Sequence, residues 1–515
     1  MKLKHYGMLV AGLGLLASCS NDNLEGPNQP NPAEEVGAWI TLDVREMGTR
    51  TTSPNNQTEP ATTEESTISS VILILADSND TEKIAVKGEK DDNTDNWKFA
   101  FTGDPFKTLQ SLPETNVYVV CNLDDYGKAA KISNPTSPIQ RILSLSQNDN
   151  TYWKNNNFLM SNYQKVTKTI DIAKVKNGEY ATTPLDFGTI EVQRTMARLD
   201  VAKDQPKKSS DFIAGSNIEI EFKSAALVNV SKKFFLYKEV GGTSEEDNKF
   251  SLFAKETVSN YVNDPKMADN KYEDGLFENV VKTQRPDGLQ YSSEWGFITD
   301  SEIGDNPQYA KLSYVTPNTV TDKDLQKNGK STGIVFKAQI KGATVDPADG
   351  NNLYTLDGVV LGDLTTLKNI VERPSSGQEG ISGLYKSLVG DKTNEADVKA
   401  ALTTEAAKNA GFKIYPKDEK DNNFYCYYYY WVRHNASAET NNNQQMHAME
   451  FGVVRNNVYK IAVTSVKGLG EPADFEPNPD QNDDPVKPTD KTSSANINVS
   501  INVKPWEKRV DNVEF

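Results

Sequence analysis

Two short stretches near the start of the chain have residue types and spacing suited to covalent processing. Lys2 and Lys4 precede an apolar run from Met8 to Leu16, followed by Ala17-Ser18-Cys19 and then Ser20, Asn21 and Asp22. The run is too short to cross a bilayer and reads as the apolar region of a signal peptide. Small residues closed by a cysteine predict cleavage before Cys19 and acylation of its thiol. Acyl chains add about 0.8 kcal/mol of membrane affinity for each buried methylene. The second stretch is Arg50-Thr51, which opens the polar sequence Thr51-Thr52-Ser53-Pro54-Asn55-Asn56-Gln57. A flexible polar segment of this kind presents a peptide bond to a trypsin-like protease. Arg50 is therefore a candidate cleavage position, with Arg45 as the alternative and an ordinary arginine at a strand end as the competing reading.

Other chemistry is scarce. His5 falls in the signal, and His434 and His447 have no cysteine or carboxylate at metal-ligand spacing. The run Asp91-Asp92-Asn93-Thr94-Asp95-Asn96 lacks the glycine and distal glutamate of a calcium-binding loop and reads as a solvated turn. There is no glycine-rich phosphate loop and no Gly-x-Ser-x-Gly elbow. No catalytic residue, metal or cofactor is therefore expected, and the chain does not read as an enzyme. Cys121 and Cys426 sit inside apolar runs and read as buried free thiols rather than a disulfide. The aromatic run Phe424-Tyr425-Cys426-Tyr427-Tyr428-Tyr429-Tyr430-Trp431 could stack on a sugar, but alternate rings of a strand point to opposite faces, so packing is the favoured reading. The 515 residues carry 56 basic and 72 acidic side chains, net −16, with no basic cluster longer than Pro206-Lys207-Lys208 or Ser231-Lys232-Lys233. This balance argues against a nucleic-acid partner.

The elements that must position these features are mostly strands. Segments rich in Val, Ile, Tyr and Phe at 70–76, 97–101, 116–121, 190–202, 218–222, 333–340, 424–432 and 457–466 are separated by Asn, Asp, Gly and Pro clusters, the pattern of β-sandwiches. Helices are expected only at 138–146, 363–372 and 394–410. A polar break at 203–211 marks the domain boundary. Two strands stand apart. In 38–44, Ala38, Ile40, Leu42 and Val44 share one face; in 495–503, Ile497, Val499, Ile501 and Val503 do the same. The second is tethered by residues 471–494, with five prolines and seven acids and almost nothing able to pack. It can reach its own domain or a neighbour's. Pro505 reads as its terminator, and Trp506 supplies a large ring to bury. Four buried β-branched side chains are worth roughly 6 to 12 kcal/mol, most of it offset by ordering the strand, so main-chain pairing must supply the rest.

These features, in this order, resemble the Bacteroidetes fimbrillins, and most closely the shaft subunit of the minor (short) fimbriae of Porphyromonas-type bacteria. The resemblance is carried by the cysteine-terminated signal at Cys19, Met47-Gly48-Thr49-Arg50, the segment Val192-Gln193-Arg194-Thr195-Met196-Ala197-Arg198 and Pro317-Asn318-Thr319. Further along it includes Val454-Arg455-Asn456-Asn457-Val458-Tyr459-Lys460, Ser465-Val466-Lys467-Gly468-Leu469-Gly470, the acidic tether and Val503-Lys504-Pro505-Trp506. Roughly 241–305 and 375–421 match nothing in the family.

The resemblance implies a mainly β chain of two transthyretin-like β-sandwich domains in tandem, a few short helices and a C-terminal donor strand. Its organisation would be a lipoprotein signal peptide at 1–18, a propeptide with a removable strand at 19–50, β-sandwiches at 51–205 and 206–470, a linker at 471–494 and the donor strand at 495–515. It implies an outer-membrane lipoprotein precursor cut by an arginine-specific protease between Arg50 and Thr51, which removes Ala38, Ile40, Leu42 and Val44 together with lipidated Cys19. The vacated groove then accepts Ile497, Val499, Ile501, Val503 and Trp506 of the next subunit, giving an open head-to-tail filament on the cell surface. Expected partners are further copies of the chain, accessory fimbrial subunits and host or bacterial surface ligands, in support of adhesion and biofilm formation. The alternatives are an anchor or tip subunit of the same system, a glycan-binding surface lipoprotein, or a cell-surface hydrolase.

Overall fold

The computed structural model describes, with short interruptions, residues 35–46, 59–202, 218–265, 277–278, 309–319, 331–342, 352–361, 413–434, 451–472 and 497–507. The expected helices at 363–372 and 394–410, the break at 203–211 and most of the acidic tether lie outside these residues. What is described is mainly β, as the strand pattern predicts, and its larger sheets fall into two systems, with small two- and three-stranded sheets beside them.

The first is a nine-stranded sheet. Its strands run in the order Glu82–Lys87, Val71–Ala76, Glu114–Cys121, Met160–Asn162, Leu185–Arg194, Ala38–Glu46, Trp97–Phe101 and Glu89–Lys90, and Val166–Thr169 also pairs with Glu114–Cys121. Strands from opposite ends of that order, bearing Leu73, Leu75 and Val119 on one side and Phe99 and Phe101 on the other, contribute to one apolar cluster, so the sheet coils and closes its inner face on itself. The outer face of Val71–Ala76 and Glu114–Cys121 is covered too: Ile72, Ile74, Tyr118 and Val120 pack on Phe234, Leu236 and Tyr237. Burial on both faces explains why Val71–Ala76 is a continuous apolar run rather than an alternating one.

The second system is a sandwich. One layer has the order Glu59–Pro60, Ile497–Glu507, Asn457–Val466, Ala197–Ala202, Tyr309–Val315, and the other has Glu219–Val228, Gly333–Lys341, Phe424–Trp431. Leu199, Val201, Tyr459, Ile461 and Val463 of the first layer share a core with Phe222, Phe336, Ala338, Cys426 and Tyr428 of the second.

Two expectations need correction. The single strand at 190–202 is two, Leu185–Arg194 and Ala197–Ala202, one in each system. Inward residues shift from even (Ile190, Val192) to odd (Ala197, Leu199, Val201). A pleat of period two cannot make that change without a break, and Thr195-Met196 is the break. The helix at 138–146 is absent: Arg141–Ser144 is a strand paired with Lys233–Phe235. Ile139, Ile142 and Leu143 have helical spacing, but the ladder and the buried partners of Gln140 and Arg141 override it; Gln140 donates to Tyr237 O at 2.9 Å and Arg141 Nη2 pairs with Glu82 Oε2 at 2.5 Å.

Candidate functional site

The strand Ala38–Glu46, the leading strand, occupies an interior slot of the coiled sheet. It runs parallel to Leu185–Arg194 on one side and antiparallel to Trp97–Phe101 on the other. Ile40 lies opposite both Leu185 and Phe99, and Thr41 opposite both Asp186 and Lys98. Ala38, Ile40, Leu42 and Val44 are buried, whereas Trp39, Thr41 and Asp43 are half-buried and Arg45 is exposed. The alternation read from the sequence is therefore an inside and an outside. The inward side chains pack with Phe99, Phe101, Phe187, Ile190 and Val192. At the entrance, Gly37 donates to Phe101 O at 3.0 Å, and a Cβ on it would meet the Phe106 ring at 2.5 Å. Only glycine passes beneath that ring.

The alternation continues one step past the predicted strand. Glu46 is also buried, and its Oε1 pairs with Nη1 of Arg194, a side chain with no exposed surface. Arg194 also donates through Nε to Glu65 O at 2.8 Å, and through Nη2 to Ser66 Oγ at 3.3 Å. Burial depresses the Arg194 guanidinium, and the Glu46 and Glu65 carboxylates oppose that effect. Glu46 stands on the N-terminal side of Arg50 and Arg194 on its C-terminal side.

Downstream of Arg50, the chain re-enters the described residues at Glu59 and is fastened at once. Thr62 caps the short helix Thr63–Ser66 in a capping box: Thr62 N–H donates to Glu65 Oε2 at 2.7 Å and Glu65 N–H to Thr62 Oγ1 at 3.3 Å. Arg198 Nη1 donates to both Glu65 carboxylate oxygens at 3.0 Å, and Tyr314 O–H donates to Oε1 at 2.7 Å. Arg198 also pairs with Asp200 at 2.9 Å and Glu59 at 3.2 Å, and Lys460 with Glu59 at 2.7 Å. Burial works against the Glu65 carboxylate, but Arg198, the Thr62 N–H and the Tyr314 hydroxyl together hold its pKa below the ordinary value. For Asp200 burial prevails over Arg198 and its pKa is raised. This network ties residues 59–66 to the second sandwich, so the segment beyond the expected cut has its own attachment.

The C-terminal strand, Ile497–Glu507, sits on its own chain. It runs antiparallel to Asn457–Val466, with Ile497 opposite Val466, Val499 opposite Val463, Ile501 opposite Ile461 and Val503 opposite Tyr459. Its last two residues, Trp506 and Glu507, also pair in parallel with Glu59 and Pro60. Among the described residues, it is paired along one edge and has a second neighbour only at its end. Pro505 does not terminate it, contrary to the expectation: Pro505 lies opposite Asn457 at the last rung of that ladder, after which pairing passes to Glu59–Pro60.

Of the other residues singled out, Cys19, Arg50, Thr51 and His447 lie outside the described residues. Cys121 and Cys426 are buried and unbridged, and burial pushes the Cys426 thiol up to about 12. Asp91 closes a turn, accepting from Asn93 N–H at 3.1 Å and pairing with Lys98 at 2.7 Å. His434 Nδ1 lies 2.9 Å from the Tyr459 hydroxyl. Phe424–Trp431 is covered on both faces: Phe424, Cys426, Tyr428 and Tyr430 in the main core, and Tyr425, Tyr427 and Trp431 against Val335 and Phe451. Sequence reasoning missed Glu46, Glu59 and Glu65. The signal for Glu46 was its position two residues after Val44, on the inward parity.

Residues 422–512, which include the strand Asn457–Val466 and the C-terminal strand, match the family model Fimbrillin_C, described as the C-terminal region of fimbrillin, the major fimbrial subunit protein type IV. No curated protein matches the chain. Among solved structures, the chain is similar to the fimbrilin FimA of Porphyromonas gingivalis W83, at 15% identity over 93% of this chain and 99% of that one, TM-score 0.37. It is similar to the tip fimbrial protein Mfa3 of Porphyromonas gingivalis with C-terminal truncation, at 11% identity over 91% and 100%, TM-score 0.29. A proposed cell adhesion protein of Parabacteroides distasonis is 14% identical over 93% and 100%, TM-score 0.39. The family likeness is thus carried by residues 422–512, the region that matches the fimbrillin C-terminal model.

Proposed function

We propose that the chain is the shaft subunit of a cell-surface fimbrium, exported as a lipoprotein through Cys19 and cut by an arginine-specific protease between Arg50 and Thr51. The cut strand, with Ala38, Ile40, Leu42 and Val44, leaves its slot, and the C-terminal strand of another copy, with Ile497, Val499, Ile501, Val503 and Trp506, fills it. The observation that carries this reading is the seat of the leading strand. It is hydrogen-bonded on both edges and buried on its inner face, so its departure strips two ladders of partners and opens an apolar channel. Buried main-chain groups left without partners are costly enough that the open slot demands another strand. Copies joined this way form an open, head-to-tail series. Further expected partners are accessory fimbrial subunits and surface ligands of host or bacterial cells.

The test is to cut the purified chain with a limiting arginine-specific protease, read the new N-terminus by mass spectrometry and run the product unboiled on a gel. A Thr51 N-terminus together with a high-mass ladder is the expected result. A verified Arg50 cut without a ladder refutes exchange, and lipidated Cys19 recovered from surface filaments assigns the chain to the anchor instead.

A further inference from the structure

Removal of the leading strand takes away Glu46, the carboxylate that pairs with the fully buried Arg194. Arg194 also bonds Glu65 O, Ser66 Oγ and Asn456 Oδ1, all neutral oxygens, and the Glu65 carboxylate that favours its charge is shared with Arg198, Tyr314 and the Thr62 N–H, so Glu46 is the carboxylate that the leading strand itself brings to the guanidinium. A guanidinium does not shed its proton at any ordinary pH. The strand that refills the slot thus meets a buried positive charge at its far end.

We infer that Glu507 of the incoming C-terminal strand takes over the pairing with Arg194 that Glu46 vacates, and that this pairing fixes the register and direction of exchange. The inference rests on the strand-exchange reading above. In the leading strand the inward series is Ala38, Ile40, Leu42, Val44, Glu46; in the C-terminal strand, Val499, Ile501, Val503, Pro505, Glu507 has the same order of four apolar positions and then a glutamate. Superposing the two puts Ile497 in the half-buried place of Val36 and Trp506 in the exposed place of Arg45. Pro505 takes the place of Val44, past the stretch Ala38–Leu42 over which Trp97–Phe101 pairs, so its missing N–H falls where the slot has one neighbour rather than two. A shift of two residues would seat the larger Ile497 in the Ala38 position and bring Pro505, with nothing to offer a cation, to Arg194. Insertion in the opposite direction would carry the glutamate to the Ala38 end, away from Arg194. Glu507 thus serves as a positioning residue, and Arg194 reads it.

The test uses the full chain, cut at Arg50 and laddered. Breaking one partner of a buried ion pair predicts that ladders of E507Q dissociate about 100-fold faster than wild type at a fixed temperature, while E514Q ladders keep the wild-type rate. A triple variant, E46Q/R194M/E507Q, which removes the pair in both strands, brings the rate back to within about tenfold of wild type. Register is read separately by disulfide formation. Asn502 takes the place of Thr41 opposite Lys98, so a K98C/N502C chain cross-links its ladders, and a K98C/S500C chain, matched to the shifted register, does not. Wild-type dissociation from E507Q, or cross-linking through Ser500→Cys in place of Asn502→Cys, overturns the inference and leaves exchange standing. Absence of any ladder from the cut wild type overturns exchange itself and the inference with it.

Discussion

Replacing Leu42 by alanine separates the two states of the molecule. In the uncut chain Leu42 has no exposed surface and packs in the cluster that closes the coiled sheet. Truncating a buried leucine costs the lost transfer energy plus a cavity term, about 2 to 5 kcal/mol. For a domain of about 150 residues each kcal/mol lowers the melting temperature by about 2 to 4 °C, so a cost near 3 kcal/mol predicts a fall of about 6 to 12 °C for the first system of sheets. On the exchange reading, the cut filament contains no Leu42 at all, because the strand that carries it has left. Ladders built from Leu42→Ala protein are therefore expected to melt like wild-type ladders, and to form faster, since the strand to be expelled is bound more weakly. Scanning fluorimetry of the uncut chain and unboiled gels of the cut chain over a temperature series measure the two quantities. If the ladders of the variant melt lower in parallel with the precursor, the leading strand has stayed in its slot and the reasoning fails.

Arg50→Gln is expected to block both release and laddering, while Arg45→Gln leaves the Thr51 N-terminus intact; mass spectrometry of the N-terminus decides between the two arginines. Deleting residues 495–515 is expected to abolish the ladder without preventing the Arg50 cut. Glu65→Gln is expected to cost about 3 kcal/mol by leaving Arg198 with one buried partner fewer. Because the folded-state pKa of Glu65 lies below its ordinary value of 4.5, its contribution is fully present above that value and is lost as pH falls toward the folded pKa. Thermal melts between pH 6 and pH 3 should accordingly show a shallower acid limb for Glu65→Gln than for wild type at the Glu65-dependent transition.

Period-two alternation made the leading strand legible, because Ala38, Ile40, Leu42 and Val44 face one apolar cluster while their neighbours face outward. The same rule is silent on neighbours. It says that Ile497, Val499, Ile501 and Val503 share a face, and does not say that the backbone carrying them pairs with Asn457–Val466 of the same chain. Pairing partners are set by edges left open elsewhere in the fold, which no local pattern records. Glu46 escaped because a carboxylate after an apolar series reads as the end of a strand, and its burial is decided by Arg194, far away in sequence. The helix expected at 138–146 failed for a related reason: buried polar groups at Gln140 and Arg141 take partners on distant strands, and those partners outvote helical spacing.

The self-paired position of the C-terminal strand bears directly on when exchange can occur. On its own chain, among the described residues, the strand covers one edge, that of Asn457–Val466, with a second neighbour only at Glu59–Pro60. In the slot the leading strand is paired on both sides at Ile40 and Thr41 and on one side elsewhere. Before the cut, the slot is full and self-pairing is the better option. On the exchange reading, the ladder rungs given up at home are matched by those gained in the slot, so covering the apolar channel left by Ala38, Ile40, Leu42 and Val44 is what favours transfer after the cut. Locking the strand at home must therefore prevent assembly. Ala462 and Ser500 lie directly opposite each other in the self-paired ladder, at a separation a disulfide can bridge. An A462C/S500C chain, oxidised before cutting, is expected to show the Thr51 N-terminus and no ladder, and to begin laddering when reductant is added. A ladder from the oxidised and verified disulfide would mean that some other segment fills the slot.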